Sequence, residues 1–343
     1  MTLTSRLVRP LLAALLAAGA VAALTLWTAP VAHATDNGSW AVTPTPPAAS
    51  STAPRSYFVI DADPGAKLKD SVRIQNLTNK PITFTIYGAD GFNTAQDGFF
   101  ALKGADEPQI DVGSWIRLPV SRIKLAGRTQ ADVPFTLTVP TNATPGDHVG
   151  ALVAMNNAIE GTDDSRGVDI GIQRAVGARL YLRVSGPTTP GLAVSDVHLE
   201  TDRGAMPWTG SGTGMVTYTV ENTGNVRLSP TATVTVSGAG HAVDTVEGDA
   251  LVDLLPGQQV SLSSEVEGIR WFDRLTTEVV VTSPEGATAK DSDTTWLTPW
   301  SGIGLGLLLL IGAGFLVHRR RTVMRRRMRA AEQAPVITVP TPQ

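Results

Sequence analysis

Runs of residues that alternate strictly between apolar and polar set the tightest limit on what this chain folds into. Val72 and Ile74 alternate with Ser71, Arg73 and Gln75. Ile82, Phe84 and Ile86 alternate with Thr83, Thr85 and Tyr87, and Val133, Phe135, Leu137 and Val139 with Asp132, Pro134, Thr136 and Thr138. A period of two puts the apolar side chains on one face of an extended strand, whereas a helix would scatter them around its axis. Turn sequences separate the runs: Asp63-Pro64-Gly65, Asn76-Leu77-Thr78-Asn79, Gln96-Asp97-Gly98, Ala126-Gly127 and Thr144-Pro145-Gly146. Short strands at this spacing predict an all-β chain of immunoglobulin-like sandwiches. Pro134 removes a ladder donor inside one run, which predicts an edge or a bulge there.

The stretch Ser185-Gly186-Pro187-Thr188-Thr189-Pro190-Gly191 interrupts the pattern and divides the β region into two expected domains, 56–186 and 191–292. Strands of the second are expected over 215–220, 231–236, 260–265 and 277–281. The two halves echo each other. Val72-Arg73-Ile74-Gln75-Asn76 before Leu77-Thr78-Asn79 resembles Tyr218-Thr219-Val220-Glu221-Asn222 before Thr223-Gly224-Asn225, and Leu125-Ala126-Gly127 resembles Leu255-Pro256-Gly257. Residues 35–55 are rich in Pro, Ala, Ser and Thr and carry little apolar surface, so they read as a flexible lead-in, with order beginning near Ser56.

The two ends speak to location. Arg6 and Arg9, an apolar run from Leu11 to Leu26 and the small-residue triplet Ala32-His33-Ala34 make 1–34 a secretory signal. Residues 298–317 carry no charge and are long enough to cross about 30 Å of hydrocarbon. Trp296 and Trp300 stand where an interfacial aromatic belt belongs, and seven arginines follow between 319 and 329. The arginines place 318–343 in the cytoplasm, so the expectation is a single-pass type I cell-membrane protein with most of the chain at the cell surface. No Leu-Pro-x-Thr-Gly wall-sorting motif precedes the apolar run.

The net charge of −3 conceals a division. Residues 35–299 hold 30 of the 31 acidic residues and 19 of the 28 basic ones, about −11. An acidic exported portion argues against nucleic acid as a partner, because phosphate binding rests on Lys and Arg. There is no cysteine, so the cores must hold by burial alone, and Cys nucleophiles and Cys metal sites are excluded. Outside the termini, His148, His198 and His241 are scattered and read as ordinary polar positions, with no metal expected. Asp61-Ala62-Asp63 and Asp291-Ser292-Asp293 read as turn residues at domain edges, and Asp163-Asp164 as part of an exposed loop over 160–167. No nucleophile elbow, metalloprotease helix or phosphate loop is present, and the chain reads as a non-enzyme without cofactors.

Aromatic side chains carry much of glycan and protein recognition. Tyr87, Phe92, Phe99, Phe100, Trp115, Tyr181, Trp208 and Trp271 are available, and a sandwich core needs many such fillers. The stretch 91–100 stands apart, since its aromatics sit among Asn93, Gln96, Asp97 and Gly98 as in a loop. Phe92, Phe99 and Phe100 in that stretch, together with Trp115, are the candidate ligand-binding residues.

The first domain resembles the peptidoglycan-binding domain of WxL-interacting proteins, a cell-surface family of Gram-positive bacteria. The residues that carry the resemblance are Phe58-Val59-Ile60 leading to Asp63-Pro64-Gly65, then Asp70-Ser71-Val72-Arg73-Ile74-Gln75-Asn76, Trp115, and Gly127-Arg128-Thr129 through Val133 to Pro140 into Pro145-Gly146-Asp147-His148-Val149-Gly150-Ala151. It covers about 56–184 and implies an anchored surface protein that contacts peptidoglycan, a partner surface protein, or both. The second domain occupies the place of that family's second, partner- or host-binding domain, a likeness that rests on the strand–Asn–turn pattern alone. Trp296-Leu297 is juxtamembrane and is not a Trp-x-Leu motif. The alternative is an extracytoplasmic chaperone or assembly factor that works by strand addition at a sheet edge. A wall-acting hydrolase and a sensor rank below both.

Overall fold

The computed structural model of the chain describes residues 37–46, 55–158, 162–163, 170–171, 173–202, 212–270 and 272–332. The expected signal 1–34 and the candidate aromatics Trp208 and Trp271 lie outside these residues. The elements in order are β1 Trp40–Pro44, β2 Phe58–Ala62, β3 Lys67–Asn76, β4 Ile82–Asn93, β5 Phe100–Leu102, α1 Val112–Trp115, β6 Ile116–Arg117, β7 Arg122–Leu125, β8 Gln130–Thr138, β9 Gly146–Asn156, β10 Thr162–Asp163, β11 Ile170–Gly171 and β12 Ala175–Val184. Then come β13 Leu192–Asp202, β14 Gly212–Asn222, β15 Thr231–Gly238, β16 His241–Glu247, β17 Gln259–Ile269, β18 Asp273–Thr282, β19 Thr288–Leu297 and α2 Trp300–Glu332.

The all-β expectation holds. In the first half, a sheet ordered β1-β3-β8-β6 faces one ordered β2-β12-β9-β4-β5, with β7 also on β4. The alternating residues Val72, Ile74, Phe84, Ile86, Val133, Phe135 and Leu137 point into one shared core. In the second half, β13-β14-β17 and β16-β15-β18-β19 enclose a separate core that includes Val216, Tyr218, Val234, Val260 and Val279. β10 and β11 form a two-stranded ribbon where a loop was expected. Pro134 is accommodated as its chemistry requires. The Ser71 carbonyl turns away to the Thr45 N–H at 2.9 Å, so the Ser71–Pro134 pair exchanges no ladder bond. The Pro134 nitrogen then faces the flank of β8 that β6 covers only at Thr136 and Leu137.

Two expectations need correction. Within the supposed lead-in 35–55, β1 pairs with β3 over five residues, and Trp40 is fully buried. Its ring lies 5.5 Å from that of Phe84, and its Nε1 donates to the Ala154 carbonyl at 3.3 Å. One large aromatic on an otherwise open strand edge outweighs the weak apolar content around it, and Pro44 is tolerated because β1 is an edge strand. At the other end, β19 continues past the expected boundary at 292 to Leu297, which packs in the second core. Asp291, Ser292 and Asp293 therefore lie in a strand paired with β18, not in a turn.

The internal echo is structural. Asn76 and Asn222 are both buried at the ends of β3 and β14. The Asn76 amide donates to the carbonyls of Lys80, Leu125 and Ala126, and its oxygen accepts the Thr78 N–H. The Asn222 amide donates to Val226 and Leu254, and its oxygen accepts the Gly224 N–H. In each half one asparagine ties its own turn to the loop before a neighbouring strand, which explains why the two sequence segments recur as a pair.

Among the described residues, α2 contains one span, Trp300–Arg326, long and apolar enough to cross a membrane, and none of its apolar stretch is buried. The helix runs on into the arginine-rich segment as far as Glu332.

Candidate functional site

The site begins with a carboxylate in the wrong place for a strand. Asp90, near the end of β4, is 3 % exposed. It accepts N–H groups from Ile110 at 2.6 Å, Asp111 at 3.1 Å and Gly113 at 2.7 Å, and Lys103 Nζ stands 3.5 Å away. These bonds fold 103–113 over the end of β4 and set the start of α1, on which Trp115 sits. Gly113 is required there, since a Cβ would come within 2.7 Å of the Asp90 backbone nitrogen.

His148, the third residue of β9, backs Trp115 with ring centroids 4.9 Å apart. Its Nδ1 lies 2.8 Å from Asp111 Oδ1 and its Nε2 2.8 Å from the Thr144 carbonyl. Both partners are acceptors, so only the imidazolium can donate to both. Burial pulls the His148 pKa down. The hydrogen bond and charge of Asp111, together with the Thr144 carbonyl, outweigh it and leave the group above its ordinary value.

Trp115, Phe92, Lys103, Ile110 and His148 form one wall of a cleft of about 720 Å³, a volume typical of ligand sites. The second half of the chain supplies the opposite wall through Gly224, Asn225 and the turn 255–258. Asn142, Asn225 and Gln258 add amide groups to the lining.

The walls are fixed by a dense polar joint. The Asp147 N–H donates to the Asn225 carbonyl at 2.8 Å, and the Asn225 amide donates to Pro145 and Pro187 carbonyls, each at 2.9 Å. The buried Asp147 carboxylate takes two bonds from Arg183, at 2.8 and 3.1 Å, and one from the Arg227 N–H at 2.9 Å. Burial pushes the Asp147 pKa up, but Arg183 and Arg227 overcome this and hold it below the ordinary carboxylate value. The Arg227 guanidinium also lies 4.3 Å above the Tyr181 ring and bonds Asp253 at 3.0 Å. Gly146 has φ of 119°, and a side chain on it would meet the Asn225 carbonyl oxygen.

The four candidate aromatics divide. Phe92 and Trp115 face the cleft. Phe99 is 70 % exposed and outside its lining, and Phe100 lies beneath the Arg179 guanidinium at 4.2 Å. The stretch 91–100 is the end of β4, a tight turn and the start of β5, and it braces the second half of the chain. Asn93 donates to the Asp253 carbonyl and accepts the Leu255 N–H at 2.8 Å, while the Ala95 carbonyl accepts from Ser261 at 2.7 Å. Sequence reasoning did not single out Asp90, Lys103, Ile110 and Asp111, and it took His148 for an ordinary polar position. The usable signal was an acid at an inward strand position (Asp90) and the pair Asp147-His148 opening the near-continuous apolar run of β9. Among the described residues, no group of three or more His, Asp or Glu is placed to hold a metal.

The His148 arrangement gives a testable pH dependence. Because the folded pKa lies above the ordinary 6.5, the stabilisation is complete below that pH and is lost as pH rises through the folded value. The melting temperature of the wild type should fall from about pH 6 to about pH 9 more than that of His148→Gln, whose side chain cannot titrate in this range. Parallel curves would contradict the geometry.

Residues 40–155 match the family described as WxL Interacting Protein, peptidoglycan binding domain. This is the family that the motifs of the first half resemble, and the match begins at Trp40, inside the supposed lead-in. No curated protein matches the chain. Solved structures with some similarity to the chain include a chaperone–tip adhesin complex of CFA/I fimbriae, at 11% identity and a TM-score of 0.32 over 70% of this chain and 97% of that one. They also include the class 5 fimbriae chaperone CfaA, at 11% identity and 0.32 over 75% and 99%. The CsuC–CsuE pre-assembly complex of Acinetobacter baumannii gives 13% and 0.30 over 60% and 86%.

Proposed function

We propose, from a first domain matched over residues 40–155 to a peptidoglycan-binding family, that this chain is a membrane-anchored surface protein whose cleft engages peptidoglycan. The observation that carries the reading is that the matched residues supply the aromatic wall of the cleft, Phe92 and Trp115. A ring face beside amide groups suits a sugar polymer bearing N-acetyl groups. The cleft acids are engaged inside the protein: Asp90 with backbone N–H groups, Asp111 with His148, Asp147 with arginines. Asp147 in particular, held below the ordinary carboxylate value by its arginines, is a poor proton donor at neutral pH, which favours binding over acid–base chemistry at that group. Lys103, which already faces Asp90 at 3.5 Å and donates to the Pro108 carbonyl, lies on the cleft wall where a stem-peptide carboxylate would meet a cation. The signal, the apolar helix α2 and the arginines after it support a type I orientation, with the cleft outside the cell.

The alternative, an assembly factor that adds a client strand to a sheet edge, would need an outer strand such as β1, β2, β13 or β16. On the flank of β8 that β6 leaves open, Pro134 offers no N–H, which weakens that one edge for the purpose.

The test is sedimentation of residues 35–299 with insoluble peptidoglycan across a salt series, beside an unrelated acidic protein. Both cores lie within that segment. Saturable pelleting that survives salt is expected, because few cleft charges are left unpaired. Pelleting no greater than the control would sink the proposal.

A further inference from the structure

The two ends of the second β unit are occupied differently. One end carries the turns at 224–225 and 255–258 that close the cleft. The other gathers the turn between β15 and β16, the connection between β17 and β18 and the last residues of β19, immediately before α2. Arg274 pairs in register with Trp296 and Asp273 with Leu297, and α2 begins three residues later at Trp300. Large apolar side chains stand out of the protein at this end: Phe272 is 64 % exposed, Trp296 67 % and Trp300 76 %. The Arg274 guanidinium lies 5.3 Å over the Trp296 ring. A hollow of about 470 Å³ opens between them, lined also by Arg270 and His241.

The one acid in that lining is turned inward. Asp273 is buried, and its carboxylate accepts the N–H groups of Ala239 and Arg274 and lies 3.2 Å from His241. The outward face is therefore cationic and aromatic. The acids Glu200, Asp202 and Glu265 line a separate groove on the three-stranded sheet.

We infer that this end is a membrane-apposed patch that binds the phosphate headgroups of anionic phospholipid, with Phe272 and Trp296 in the interfacial layer and Arg270 and Arg274 on phosphate. The inference rests on the membrane-anchored reading and goes beyond it by assigning a lipid contact to the folded unit itself. Three residues of chain reach about 10 Å at most, so the patch cannot leave the headgroup layer once α2 is inserted. Aromatic side chains favour that layer, and arginine matches phosphate in charge and hydrogen-bond geometry. The contact would fix the tilt of the β units above the bilayer, and with it the direction in which the cleft opens.

The chain has no cysteine, so single substitutions give unique labelling sites in the full-length protein. Fluorophores at Phe272→Cys, at Leu309→Cys within α2 and at Val252→Cys, an exposed position at the opposite end, would be compared in vesicles of phosphatidylcholine with and without phosphatidylglycerol. With phosphatidylglycerol, the label at 272 should resist aqueous iodide and be quenched by brominated lipid, while that at 252 stays open to iodide. Adding Arg270→Glu and Arg274→Glu should return the 272 label to the accessibility of 252 without changing 309. Protection at 309 with full exposure at 272 would overturn the patch alone. Exposure at 309 would overturn the anchor and the patch with it. Protection at 272 that ignores both lipid charge and the arginine substitutions would overturn the phospholipid assignment. None of these outcomes bears on peptidoglycan sedimentation.

Discussion

Trp40→Ala should lower the unfolding free energy by about 3–5 kcal/mol, the usual cost of truncating a fully buried large aromatic. Trp40 is 0 % exposed and its ring packs at a tilt against that of Phe84. Its indole N–H satisfies the Ala154 carbonyl, which the substitution would leave buried without that donor. The loss should appear as a shift of the denaturant midpoint in residues 35–299. A protein that begins at residue 56 should fare worse. It would lack all of β1 and expose the edge of β3, inviting aggregation through the open ladder. An unchanged midpoint for Trp40→Ala would mean that β1 is dispensable, contrary to its placement in the core.

Asp147→Ala should be comparably severe, about 3–5 kcal/mol, because removing one partner of a buried ion cluster strands the others. The Arg227 N–H would lose its acceptor, and the Arg227 Nε, already without a hydrogen bond, would lose its nearest carboxylate at 3.7 Å. Arg183 is 52 % exposed and can turn to water, which places the effect toward the lower end of the range. Since Asp147 belongs to β9 and Arg227 follows β14, the damage falls on the joint between the two halves. Single-step unfolding should give way to two transitions, and the connection 185–191 should become sensitive to protease. The wild type should show a weaker form of this at low pH. The folded pKa of Asp147 is depressed, so its contribution is complete above the ordinary carboxylate value of 3.8 and disappears as pH falls through the folded one. A variant that unfolds in one step at the wild-type midpoint would show that the cluster holds nothing together.

The strands were legible because period two is a direct projection of a half-buried sheet onto sequence. Val72, Phe84, Val133 and their alternating neighbours lie where that pattern puts them. The paired asparagine turns were legible for a similar reason: Asn76 and Asn222 meet local demands that depend on chemistry a few residues away. β1 was not legible. Its composition resembles a linker, and its stability comes from a partner strand and from Ala154, 114 residues distant. The candidate cleft was partly legible. Trp115 and Phe92, named from residue type, line it, whereas Phe99 and Phe100, named because the turn around them is polar, lie outside its lining. That polarity serves the joint through Asn93 and the backbone of Ala95. The opposite wall of the cleft comes from residues more than 70 positions away, a proximity that no local pattern records.

One comparison decides whether the cleft is where the protein meets the wall. Peptidoglycan pelleting isotherms would be measured for wild type, Trp115→Phe, Ile110→Ser and Phe99→Ala, each first shown to keep its melting temperature. Ile110 is 77 % exposed on the cleft wall, so its replacement should spare the fold. The two cleft variants should bind roughly tenfold more weakly, the loss of about 1.4 kcal/mol at a central contact, while Phe99→Ala matches the wild type. Equal binding by all four would place the wall contact elsewhere on the protein and contradict the account.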